Sequence, residues 1–126
     1  MNLGRTGRTM NGEVLRISTK EALREFLDAD RRALGAPTGV RRTIRSFGSE
    51  SYYIWRFQVA LRRYEYSINC RQISPIRALR RAIYLRLGIK LGFSVPPNVF
   101  GPGLQIAHLG GVVVNDQAVV GANCRI

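Results

Sequence analysis

The sequence predicts an α+β chain, helical in its first part and built from short β segments in its last. Three observations carry the prediction. Up to about residue 90, apolar side chains recur at steps of three and four, the spacing of one helix face. From Gly92 the helix formers give way to Gly, Pro, Asn and Val. Beyond that point the chain steps by six, at Val114, Val120 and Ile126 and upstream at Ser94, Phe100 and Ile106. These shifts divide the chain into a flexible tail over 1–16, a helical region over 17–90 and a β segment over 91–126.

The first helix opens at Ser18-Thr19-Lys20-Glu21, where Ser18 and Glu21 have capping-box spacing and each can satisfy one free amide. Leu23, Phe26, Leu27 and Leu34 line its apolar side, and Gly35 and Pro37 stop it. Residues 36–49 read as a loop with Arg41, Arg42 and Arg45 in solvent. The second helix is expected from about Ser51 to Asn69, on the stripe Ile54, Phe57, Leu61, Tyr64 and Ile68. Trp55 lies off that stripe, placed to meet a partner surface. A third helix opens at Ser74-Pro75, with proline at the first helical position. Its stripe is Ile76, Leu79, Ile83 and Leu87, and Gly88 is its expected C-cap.

A six-residue period is the signature of a parallel β-helix, in which each hexad forms one flat side of a coil and its apolar residue points inward. The small residues Ala118 and Cys124 stand two positions before Val120 and Ile126. Between Ile106 and Val114 the step is eight instead of six. The chain's single histidine, His108, lies in that two-residue insertion.

Composition excludes several classes. No apolar run approaches the 18 or so residues of a membrane span. The start, MNLGRTGRTMNGEVLR, has no apolar signal core, and Met10 is an alternative first residue. Cys70 and Cys124 form no CxxC pair and read as free thiols of a cytoplasmic protein. One histidine and two distant cysteines make no metal site. GPGLQI departs from GxGxxG at Ile106, so no dinucleotide loop is indicated.

The net charge is +12, and nineteen of the twenty Lys and Arg precede residue 91. A basic domain invites a nucleic-acid reading, for which Arg62, Arg63, Tyr64, Tyr66 and Arg71 interleave cations and aromatics. Tyr64, however, belongs to the apolar stripe, and no helix-turn-helix, zinc or RNA-recognition motif is present. Nucleic acid is therefore not an expected partner. Solvated arginine faces are the expectation, with attraction to an anionic membrane or polysaccharide left open.

The run Val95-Pro96-Pro97-Asn98-Val99-Phe100-Gly101-Pro102-Gly103-Leu104-Gln105-Ile106-Ala107-His108, then Gly110-Gly111-Val112-Val113-Val114-Asn115 and Val120-Gly121-Ala122-Asn123-Cys124, resembles the serine acetyltransferase family. More narrowly, it is similar to a branch found with bacterial polysaccharide gene sets. Residues 26–35 and 61–66 resemble that branch's helical N-terminal region, so the likeness spans roughly 17–126.

The resemblance implies a left-handed β-helix, a homotrimer, and acetyl transfer from acetyl-CoA to the hydroxyl of L-serine, with a sugar hydroxyl as the alternative acceptor. It implies no metal. His108 matches the family's general base, and a neutral imidazole suits removal of a hydroxyl proton near neutral pH. Gly110 and Gly111 would allow the bulge that presents it. The family's acetyl-CoA contacts lie on later coils, so their counterparts are expected beyond residue 126 and the chain is expected to be a truncated member. An inactive remnant or a basic polyanion-binding module is the non-enzyme alternative. Two positions depart from the family pattern: Ala107 stands where an aspartate precedes the histidine, and Phe93 where a carboxylate orients it. A backbone carbonyl or a neighbouring subunit is then expected to orient the ring. Asp116, the only acid after residue 65, falls in an expected turn, and Cys124 reads as a buried structural thiol.

Overall fold

The structure is a computed structural model that describes residues 15–36 and 38–126. Met10, Pro37 and all but the last two residues of the expected tail lie outside the described residues. Four helices precede a small parallel β segment, an α+β arrangement.

Helix α1 spans Lys20–Leu34. Its N-cap is Thr19, not Ser18: the Thr19 hydroxyl accepts from the Ala22 amide at 3.0 Å. The cap sits one residue later than the capping box requires, which puts Glu21 at the second helical position, where it faces the positive helix end without closing the box. Gly35 ends the helix in the left-handed conformation. The expected loop over 36–49 contains a seven-residue helix, α2, Val40–Ser46. Its sequence VRRTIRS has no long apolar stripe, which is why periodicity did not find it.

Helix α3 spans Glu50–Asn69, capped by the Ser49 hydroxyl on the Tyr52 amide. Ile54, Phe57 and Leu61 are fully buried, and Tyr64 and Ile68 are half-buried at the end of the same stripe. Helix α4 spans Ser74–Leu91 and ends at Gly92, one turn past Gly88. Gly88 serves packing instead of capping. A Cβ there would lie 2.8 Å from the Phe93 carbonyl oxygen and 3.4 Å from the Phe57 ring, so only glycine lets α4 come this close.

That close approach decides which face of α4 is covered. Tyr84 stacks on Tyr64 with ring centres 5.2 Å apart, and Leu87 and Leu91 flank it against the core. The expected stripe is correspondingly turned outward: Ile76, Leu79 and Ile83 are exposed. Leu79, Ile83 and Leu87 line a groove with Leu27, Val59 and the half-buried Trp55.

After α4 the chain makes two stacked passes. Strand β1, Phe93–Ser94, pairs in parallel with β2, Val112–Val113, at the register Phe93↔Val112. Two further parallel bridges join Phe100 to Val120 and Gln105 to Arg125. The inward phase is set by Phe93, Val95, Val99, Phe100, Leu104 and Ile106, which complete the core with α3. Ser94, placed by the six-step count among the repeat positions, is exposed between two of them. In the second pass Val114, Ala118, Val120 and Cys124 pack on that core from above.

The first pass has a second edge, and α3 covers it with polar side chains. Gln58 Nε2 donates to the Leu104 carbonyl at 2.9 Å, and the Ile106 amide donates to Gln58 Oε1. Arg62 donates to the Phe100 and Gly101 carbonyls at 2.9 and 2.8 Å. Glu65 accepts from the Asn98 amide, and Asn69 exchanges two amide hydrogen bonds with Asn98. Positions 58, 62, 65 and 69 follow helical spacing, so one face of α3 runs along one strand-like pass as a hydrogen-bonding splint. A buried β edge without partners would be costly. Among the described residues, no buried side-chain polar atom lacks a partner.

Gly103 is where this close fit demands glycine. Its φ is +86°, and a Cβ would lie 2.3 Å from Asn123 Oδ1 and 3.2 Å from the Asn123 amide in the pass above. Gly103→Ala is therefore expected to cost about 2–4 kcal/mol, combining left-handed strain with overpacking. Urea unfolding would read this as a lower midpoint; an unchanged midpoint would mean the two passes do not stack this tightly.

Candidate functional site

His108 stands in the exposed bend that connects the two passes, between the Gln105↔Arg125 bridge and β2. Its side chain is 80% exposed. The first pass, which leads into the bend, is held by the α3 splint.

The N-terminus of α3 reaches this bend. Glu50, the first residue of the helix, accepts a hydrogen bond from the Leu109 amide through Oε1. The same oxygen lies 3.6 Å from His108 Nδ1. That is ion-pair distance for an imidazolium, and just outside the range of a direct hydrogen bond. A carboxylate on the Nδ1 side favours the tautomer with its proton there, which leaves the Nε2 lone pair facing solvent. The arrangement can accept a proton from a bound hydroxyl and hold the resulting charge.

Glu50 is a third candidate source of orientation, besides the backbone carbonyl and the neighbouring subunit expected from the sequence. It lies 59 positions from Leu109 in sequence. An acid directly after Ser49 reads in sequence only as favourable charge at a helix start, so no local signal pointed to the histidine.

The other singled-out residues are not brought to His108. Asp116 is exposed in the second pass, with Oδ1 accepting from Gln117 at 3.4 Å. Cys124 is half-buried against the core, and Cys70 points its thiol to the Ser18 carbonyl; both are free. Arg62 and Tyr64, part of the basic-aromatic series, are not a ligand surface. Arg62 is fully buried and Tyr64 stacks within the bundle.

The structure does hold a charged cluster that sequence reading missed. Arg62 donates from Nε to Asp30 Oδ2 at 2.7 Å, from Nη2 to Asp30 Oδ1 at 3.2 Å and from Nη1 to Glu65 Oε2 at 3.1 Å. Its guanidinium also lies 4.9 Å from the centre of the Phe26 ring. Burial opposes the charge on Arg62, but the carboxylates of Glu65 and Asp30 more than reverse this and lift its pKa above the usual value. Burial likewise pushes the Glu65 carboxyl up, with Arg62 pulling it back. Asp30 also accepts the Gly103 and Leu104 amides, both at 2.9 Å. Every part of the cluster is used in joining α1, α3 and the first pass, so it is structural.

Among the described residues, no group of three or more His, Cys, Asp or Glu could hold a metal ion, and no helix is long and apolar enough to cross a membrane. Comparison of the chain with protein-family models, with curated proteins and with solved structures found no match in any of the three.

Proposed function

We propose that the chain is an acetyl-CoA-dependent O-acetyltransferase in which His108 is the general base and Glu50 its positioning residue. The single observation that carries this is the presentation of the only histidine in a solvent-facing bend with a carboxylate behind Nδ1. The fold reading beneath it is the beginning of a left-handed parallel β-helix that assembles as a homotrimer. The stacked passes support the β-helix part: their parallel pairings are offset by 19 residues at Phe93↔Val112 and 20 at Phe100↔Val120, close to three hexads of about six.

In the proposed step, Nε2 of His108 takes the proton of the acceptor hydroxyl as its oxygen attacks the carbonyl carbon of the acetyl thioester. The new C–O bond forms, the C–S bond breaks, and the thiolate leaves with the proton that His108 returns. Glu50 holds the ring through the transient positive charge. L-Serine and a sugar hydroxyl are the two candidate acceptors. Glu50 is the only acid paired with His108 among the described residues, and it already accepts from Leu109. It is therefore poorly placed to grip a serine ammonium as well, which favours the sugar hydroxyl.

Glu50→Gln is expected to lower kcat by roughly 10- to 100-fold with little change in KM. The effect is smaller than the ~10⁴ of a fully buried triad carboxylate, because Glu50 is partly exposed. Glu50→Asp should recover part of the loss. Acetylation of a panel of serine and sugar acceptors, followed by product mass, checks both the residue and the acceptor class. A rise in KM with kcat untouched would instead make Glu50 a substrate-binding group.

A further inference from the structure

Four arginines line one open cleft whose rim includes the two serines that flank Glu50 in the chain. The last turn of α1 supplies Arg31 and Arg32, and α2 supplies Arg42 and Arg45, three apart on one helix face. Thr38, Ser49 and Ser51 add hydroxyls to this shallow cleft of about 630 Å³. No acidic residue lines it. Arg31 has one exposed tie to Asp28 at 3.5 Å, an ion pair of the kind that contributes little. Arg32, Arg42 and Arg45 make no ion pair among the described residues. Four like charges around one cleft repel each other unless an anion lies among them.

Two further features fit an anion of a particular kind. Ser49 and Ser51 sit at the N-terminus of the 20-residue helix α3, whose positive end favours negative charge. Guanidinium groups bind phosphate oxygens in pairs, and hydroxyls add single donors. The residue between the two serines is Glu50, which meets the His108 bend. The cleft is thus continuous in the chain with the proposed catalytic pair.

We infer that this cleft binds the phosphoryl group of a substrate whose hydroxyl or thioester is presented to His108. The part that concerns the substrate rests on the acetyl-transfer reading; the binding of a phosphoryl group does not. A phosphorylated sugar is the acceptor that suits both sites. The phosphates of acetyl-CoA share the same chemistry and are the other source.

The test begins with calorimetric titration of pyrophosphate into the full chain. Arg42→Glu/Arg45→Glu should weaken binding roughly tenfold to a hundredfold, in line with lost charge-assisted hydrogen bonds. Both arginines are exposed, so the variant should keep its helical circular dichroism. Arg42→Lys/Arg45→Lys, which keeps the charge, should retain most of the affinity. His108→Ala should bind pyrophosphate as the parent does. In the transfer assay, a KM raised by the glutamate variant for a sugar phosphate and not for the free sugar assigns the cleft to the acceptor. A KM raised for acetyl-CoA and not for its 3′-dephospho form assigns it to the co-substrate. If neither source turns over but the glutamate variant still loses pyrophosphate, the cleft stands and the transfer reading falls. No pyrophosphate binding by the parent chain, or equal binding by the glutamate variant, overturns the inference.

Discussion

Arg62→Met should destabilise the chain by about 3–5 kcal/mol, the range for breaking a buried ion pair by removing one partner. Methionine fills much of the arginine's volume, so the loss would not come mainly from a cavity. It would come from Asp30 and Glu65, which would stay in the interior without their cation, and from the Phe100 and Gly101 carbonyls, which would lose their donors. Buried ion pairs can often be replaced by apolar residues at no cost. Here that remedy is blocked, because Asp30 also holds the Gly103 and Leu104 amides and Glu65 the Asn98 amide. A variant with Arg62→Met, Asp30→Leu and Glu65→Leu should therefore be no more stable than Arg62→Met alone. Urea unfolding of the three proteins measures this. A loss under about 1 kcal/mol for the single variant would show that the splint is not what fixes the first pass.

His108→Ala should lower kcat by about 10²–10⁴, the usual contribution of general acid–base catalysis. The same change should leave stability within about 0.5 kcal/mol, since the side chain is 80% exposed and packs on nothing in the core. The two effects should separate cleanly: loss of stability without a reactive role for Arg62, and, on the proposed function, loss of rate without loss of stability for His108.

Apolar periodicity made much of the architecture legible. The stripe Ile54, Phe57 and Leu61 is the buried face of α3, and the six-step spacing located Phe100, Ile106, Val114 and Val120 on the core side but not Ser94 or Ile126, which are exposed. What periodicity cannot express is contact between polar groups far apart in the chain. Gln58, Arg62 and Glu65 are polar positions that an apolar stripe does not mark, yet they are buried because the β pass offers its backbone to them. The α4 stripe failed for a related reason: Gly88, taken as a stop, is the point of closest approach and turns Ile76, Leu79 and Ile83 outward. At the candidate site His108 stood out by its position in the insertion. Glu50 did not, because its pairing depends on where the start of α3 comes to rest in space.

On the proposed function, His108 drives acetyl transfer to a hydroxyl. Its most direct test is the initial rate of thiol release from acetyl-CoA by the purified full chain, with and without a hydroxyl acceptor, for the parent and for His108→Ala. The expected result is release that requires the acceptor and falls by at least about a hundredfold in the variant. Release that is unchanged in His108→Ala, or that is absent from the folded parent with every serine and sugar acceptor, would contradict it.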